Sequence, residues 1–207
     1  MIQTNEKNTI EKLIHCLNNS SEKIAVSPAY LWINTDISAF ERNRSTILRK
    51  FSDWIMNGKD RYQPGVVSLS GVGFGLNFND KAQEKTQSEW LPGGCILHRS
   101  DNLVTRDYFP FSGKAYSEDL IHSFLLRENG VKLYVCNEAV AYIEPIFYSD
   151  SLIEVYKQYQ ATRYVVNLQG KGFSRFRLFY FLRLIKIIVR VVNKKYCALL
   201  KRYFNIS

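Results

Sequence analysis

Close cysteine spacing is missing from this chain: its four cysteines, at 16, 95, 136 and 197, form no C-x-x-C or other near pair. Ordinary core cysteines in a reducing, cytosolic compartment are therefore the simple reading, and no secretory pattern stands at the start. No stretch approaches 18 uncharged apolar residues, which excludes an ordinary membrane span. Repeats and low-complexity segments are absent from the body. The three histidines, His15, His98 and His122, show no ligand spacing with a carboxylate pair, so no zinc site is expected. Two further absences matter later. There is no D-x-D anywhere, and no Asp or Glu follows residue 170.

What is present can bury one sizeable core, since 46% of 207 residues are hydrophobic. The formal charge of +9 is unevenly spread. Residues 171–207 hold ten of the 28 bases and no acid, leaving 18 bases against 19 acids in the body. A neutral body with a basic tail points to domains at 1–170 and 171–207. In the tail, Arg183, Lys186 and Arg190 recur at spacings of three and four, while Phe179, Leu182, Ile185, Ile188, Val189 and Val192 supply much of the opposite face. Such a basic amphipathic helix suits an anionic membrane interface or docking on a protein. Its apolar residues are mostly aliphatic, and no nucleic-acid motif accompanies the charge, so nucleic acid is not the expected partner.

Along the body, Asn8-Thr9-Ile10-Glu11 predicts a capping box and a helix ending near Asn18-Asn19. Ile24-Ala25-Val26 predicts a short strand stopped by Ser27-Pro28, and Tyr30 to Asn34 an edge strand. A helix is expected between Ile37 and Ile55, ended by Gly58. Val66 to Leu69 starts another strand. Gly71, Gly73 and Gly75 then relieve a β-ribbon; no helix or Lys-Ser follows them to make a phosphate loop. Ser151-Leu152-Ile153-Glu154 is a second capping box, opening a helix that carries Arg163.

The richest stretch runs from Glu89 to Pro145. Trp90-Leu91-Pro92-Gly93-Gly94 makes a turn before an expected buried strand, Gly94 to Leu97. Ser117 is a plausible N-cap, which places Glu118 and Asp119 in a first helical turn, where carboxylates are favoured generally. Asn129-Gly130 should stop that helix, and two strands should flank a turn at Asn137-Glu138, with Glu144 after the second.

This order of helix, strands, Gly-Gly segment, acidic pair and final strands resembles the second half of the catalytic domain of family 2 glycosyltransferases. Those are inverting, sugar-nucleotide-dependent enzymes of polysaccharide and lipopolysaccharide synthesis. The resemblance covers residues 8–170. It implies an α/β fold, a partial GT-A-like mixed sheet flanked by helices, with the basic helix appended. It implies Asp119 as catalytic base, with Trp90, Gly93, Gly94 and Glu118 around the acceptor. Q-x-x-x-x-R-Y at Gln158 to Tyr164 would put Arg163 on the donor diphosphate. Glu144 stands where many members carry a metal-assisting histidine. Mg²⁺ or Mn²⁺ is expected for the family, yet its D-x-D ligands are absent here, and so is the nucleotide-binding half, so the chain looks N-terminally incomplete.

The implied activity is sugar transfer to a hydroxyl of a glycan or glycolipid, at the inner face of the cell membrane. A separate chain supplying the donor half is one route to activity; a noncatalytic membrane- or partner-binding protein is the alternative. Plain readings stay open beside these roles: Trp90 as a core anchor, Glu144 as a loop carboxylate, Arg163 on a solvated helix face.

Overall fold

The computed structural model describes residues 2–3, 8–35, 37–40, 46–75, 83–144 and 151–203, with the side chains of those from 8 to 193. It shows a mixed α/β fold, a five-stranded sheet flanked by helices. Two long strands form its centre. β2 (Ile24–Trp32) and β5 (Lys132–Ile143) run parallel, and β4 (Leu97–His98) pairs antiparallel with the far edge of β2. On the other edge of β5 lie β1 (Ile2–Gln3) and β3 (Lys85–Ser88), both antiparallel to it.

Both central strands are longer than local signals predict. Pro28 does not end β2, because it sits where the register shifts: Pro28 pairs with Cys136 but Ala29 with Val140. A missing N–H costs little at such an irregularity. The three extra residues on β5, Asn137, Glu138 and Ala139, form a bulge rather than the expected turn. No glycine is present there to reverse the chain, and the Asn137 side chain instead donates to Gln83 O (2.8 Å) and Thr86 Oγ1 (3.0 Å), holding β3 in place. The Tyr30 to Asn34 segment is thus partly a continuation of an inner strand, not an edge.

Side chains alternate across the sheet and pack on different helices. Ile24, Val26 and Cys136 face Leu13, Cys16 and Leu17 of α1 (Thr9–Asn18). Ala25, Ala29, Leu133 and Val135 face Leu91 and Leu126, the latter on α3 (Glu118–Glu128). Leu120, Ile121 and Leu125 of α3 then meet Val165 of α4 (Leu152–Leu168) and Trp90. Val166 of α4 meets Phe176 and Tyr180 of α5 (Phe173–Tyr203). Apolar contact is therefore relayed from the sheet through α3 and α4 to α5.

The caps are mixed. Ser151 accepts from Glu154 N (3.2 Å), as its capping box predicts, whereas Asn8 makes no side-chain cap. Asn129 and Gly130, the latter at φ +77°, end α3 as expected. α2 (Ile47–Asn57) is capped by Thr46, which accepts from Arg49 N (3.3 Å), and ends at Gly58. The helix does not begin at Ile37 as expected: residues 37–40 bend back beside β2, with Ala39 N donating to Tyr30 O (2.8 Å), and residues 41–45 lie outside the described residues. The apolar face of α2 is turned outward: Ile47, Leu48, Phe51 and Trp54 are all exposed.

The glycine-rich segment is a tight antiparallel hairpin, with Phe74 N donating to Val66 O (2.8 Å) and Ser68 N to Val72 O (2.9 Å). Its glycines serve packing. Gly71 has φ +80°, and a Cβ there would lie 2.6 Å from Val166 Cγ2 and 2.9 Å from Thr162 Cγ2. Gly71→Ala is expected to cost about 2–4 kcal/mol, from positive φ and overlap with α4 together, measured by urea unfolding.

Candidate functional site

The segment after β3 is fastened by its own polar groups before it reaches α3. Glu89 N donates to Gly65 O (2.7 Å), and the Glu89 carboxylate accepts from Val67 N (2.7 Å). Trp90 donates its indole N–H to Phe74 O (2.9 Å) and stands edge-on to Phe40, with ring centroids 5.7 Å apart. Only 8% of Trp90 is exposed. Its ring anchors the glycine hairpin in the core, and its remaining exposed edge lines the cavity described below. Leu91 N donates to Ser123 Oγ (3.0 Å), tying the segment to α3.

From that tie the chain turns outward at Pro92 and brings Gly93 over the first turn of α3. A Cβ on Gly93 would lie 3.2 Å from Glu118 Oε2 and 3.6 Å from Asp119 Cβ. Gly93, Glu118 and Asp119 are thus neighbours, as the order of motifs implied, with Gly94 exposed beside them. The expected strand after Gly94 is reduced to Leu97–His98, the two residues that pair with Val26 and Ala25 of β2, with Cys95 and Ile96 half-buried in the approach.

Ser117 does not cap α3 with its side chain. Its φ of +56° is left-handed, which swings the hydroxyl away from the first-turn N–H groups. Asp119 Oδ1 accepts from Leu120 N (2.9 Å) instead. The two acids then diverge. Glu118 accepts from the Tyr108 hydroxyl, and the Tyr108 ring stacks on His122, centroids 5.5 Å apart, with His98 at 6.1 Å from His122. Burial and Glu118 together push the Tyr108 hydroxyl above its ordinary value, so it stays a donor. Desolvation, aided by His98, holds His122 below its ordinary value and so favours the neutral ring, against the opposing pull of the Glu118 carboxylate.

Asp119 belongs to the other side. It lines a cavity of about 280 Å³ together with Gly73, Trp90, Tyr116, Gln158, Tyr180 and Arg183. Desolvation, aided by the charge of Glu118 and opposed by the Leu120 N–H, pushes the Asp119 carboxyl up to about 6. At neutral pH it is an ionised carboxylate whose conjugate acid is close to solution pH, the condition for an effective proton acceptor.

No family model, curated protein or solved structure matches the chain. The site therefore rests on its own geometry.

Arg163 is exposed on α4 and is not part of this cavity. The arginine that lines it is Arg183 of α5, which donates to Gln158 Oε1 and lies 5.7 Å from the Tyr180 ring centre. Sequence periodicity put Arg183 on a basic face with Lys186 and Arg190, suited to an anionic membrane interface or to docking. One signal could have found it: Phe173, Phe176, Tyr180, Arg183 and Ile187 recur at spacings of three and four, and that stripe is the one α4 covers. Tyr116, Gln158 and Tyr180 were likewise missed as cavity residues.

Glu144 is exposed at the end of β5 and does not line the cavity. Among the described residues, no three His, Cys, Asp or Glu side chains are grouped to share a metal ion. Glu118 accepts from the Tyr108 hydroxyl through one oxygen, and Asp119 accepts from the Leu120 N–H through one of its own. Among the described residues, no helix is long and apolar enough to cross a membrane.

Proposed function

We propose that this chain is the acceptor-side portion of an inverting, nucleotide-sugar-dependent glycosyltransferase of the GT-A type, acting on a glycan or glycolipid. The observation that carries the reading is a carboxylate, Asp119, set in the wall of a cavity beside a glycine turn and sharing that cavity with an arginine. An acceptor hydroxyl in the cavity would attack the anomeric carbon of the donor. As the new C–O bond forms, the bond to the nucleoside diphosphate breaks and the diphosphate leaves with the electron pair. The hydroxyl proton passes to Asp119. Gly93, lacking a side chain, leaves room above the acid, and Glu118 with Tyr108 holds the turn of α3 that presents it. Arg183 assumes the phosphate-facing role that the resemblance gave to Arg163, since a guanidinium pairs well with phosphate oxygens.

The same reading places the protein on an anionic membrane surface, at the inner face of the cell membrane. Support comes from two helices. α5 exposes Leu178, Phe181, Leu184, Ile185, Ile188, Val189 and Val192 in a segment without acids, and α2 exposes Ile47, Leu48, Phe51 and Trp54. Arg175 joins them, donating to Trp54 O (2.7 Å) and lying 4.4 Å from its ring centre. Apolar side chains beside cations suit an interface of acyl chains and phosphate headgroups.

Calorimetric titration with UDP-, GDP- and dTDP-sugars, with and without Mn²⁺ or Mg²⁺, tests the transferase reading. Saturable binding that weakens in Arg183→Gln is the expected result. Absence of binding by the folded chain, alone and with a chain supplying a donor half, would leave the noncatalytic membrane- or partner-binding alternative.

A further inference from the structure

A second depression adjoins the first, and its chemistry is different. It lies between α4 and α5, has a volume of about 420 Å³, and is lined by Leu152, Val155, Tyr156 and Tyr159 on α4 and by Arg177, Tyr180, Phe181 and Leu184 on α5. Its walls are aliphatic and aromatic with a single cation, Arg177. Leu152, Tyr156, Phe181 and Leu184 are each exposed, so apolar surface is left in water at a helix junction. Tyr180 belongs to both depressions. It is buried, its hydroxyl is hydrogen-bonded with Thr162 (2.8 Å), and it separates the apolar groove from the cavity that holds Asp119 and Arg183.

We infer that this groove takes the hydrocarbon chain of a phosphate-bearing lipid, with Arg177 pairing its head group, and that the sugar acceptor is therefore lipid-linked. The inference rests on the transferase reading and names its acceptor class. Charge decides the head group: from residue 171 onward the chain has only cations, so an anionic head is attracted and a cationic one repelled. Shape decides the tail. A lone chain fits a groove between two helices, whereas a flat bilayer surface does not enter it. Position decides the role, since a glycan attached beyond the phosphate would extend from the groove past the Tyr180 wall towards Asp119.

The test uses decyl phosphate below its micellar concentration, titrated into the full chain by calorimetry, with decyl maltoside and inorganic phosphate as comparison probes. Decyl phosphate should bind saturably at one site, inorganic phosphate far more weakly, and affinity should rise about fourfold per added methylene between octyl and decyl phosphate. Leu184→Asp, which sets a carboxylate among the groove residues, should weaken binding by about tenfold or more. Ile188→Asp, one turn further along α5 and outside the groove, should change it by less than about twofold. Arg177→Gln should weaken decyl phosphate and leave decyl maltoside unchanged. Both variants with Asp replace exposed residues, so circular dichroism should show an unaltered fold.

Equal losses in Leu184→Asp and Ile188→Asp would mean adsorption along α5 rather than groove binding, and would overturn the proposal. So would chain-length-independent affinity, or no binding by the folded protein. Nucleotide-sugar titration of the same preparation separates the two readings: donor binding without amphiphile binding sinks the lipid acceptor alone, while absence of donor binding, both by the chain by itself and with a chain supplying the donor half, sinks the transferase.

Discussion

Asp119→Asn is expected to abolish most sugar transfer while making the folded protein more stable above pH 6. The activity loss should be about 10²- to 10⁴-fold, the usual worth of a positioned proton acceptor. The stability gain follows from the direction of the shift. Burial raises the Asp119 carboxyl from 3.8 to about 6, so the native state holds its proton more tightly than the unfolded chain. The favourable contribution is fully present below pH 4, is lost as pH rises through 6, and leaves an ionised carboxylate held at a cost above that. Asn keeps an acceptor oxygen for the Leu120 N–H but carries no charge to desolvate. The variant should gain about 1–3 kcal/mol over wild type at pH 7.5, discounted for the partial exposure of the side chain, and nothing at pH 3.5. Paired urea melts at the two pH values check the sign. A destabilised variant at pH 7.5 would show that Asp119 is a structural cap rather than a charged group held at a cost.

Wild-type transfer should rise with pH through about 6 and then level, because only the ionised acid accepts the acceptor proton. A rate that falls across that range would remove Asp119 from the role of base. Neither melt nor rate profile requires knowledge of the sugar transferred, provided one donor and acceptor pair supports turnover.

Phe176→Ala should give the largest loss of stability, about 3–5 kcal/mol, and its effects should be concentrated at α5. Phe176 is 1% exposed and packs on Tyr159, Tyr180 and Phe173 at centroid separations of 4.9, 5.0 and 6.1 Å. It is the central apolar contact between α4 and α5 in a cluster that includes Val166 and Tyr180. Loosening it should raise hydrogen exchange along α5 more than in α1 or the sheet. It should also weaken any ligand of the Asp119 cavity, because α5 supplies Phe179, Tyr180 and Arg183 to its wall. Phe181→Ala, at a side chain 60% exposed only five residues away, should stay within about 0.5 kcal/mol of wild type. Equal melts for the two variants would mean that α5 is not held by the packing described.

Several parts of this structure could be read from local sequence because local forces settle them. The Ser151 cap, the Asn129-Gly130 stop, the Gly58 stop and the glycine-relieved hairpin each depend on a few adjacent residues and their backbone preferences. Asp119 in the first turn of a helix was legible in the same way, together with the nearby Gly-Gly turn. Their approach to one another was an expectation from motif order, and the Leu91 to Ser123 hydrogen bond is what brings it about.

Other features depend on what lies opposite in space. α5 has more than one apolar stripe, and spacing alone cannot say which is buried: Phe179, Leu182 and Ile185 satisfy the period as well as Phe173, Phe176 and Tyr180 do. α4 makes the choice by presenting Tyr159, Thr162 and Val166, and that rotation turns Arg183 into the cavity. Pro28 and Asn137 look like breakers along the chain, yet they mark a register shift between two parallel strands whose pairing spans about a hundred residues. A strand's partner supplies the hydrogen bonds that decide whether a poor local residue is tolerated. Residue order thus set the helical and turn-forming segments and the acids at the head of α3, whereas long-range packing chose which faces are buried, which arginine shares a cavity with Asp119, and where an apolar groove is left open.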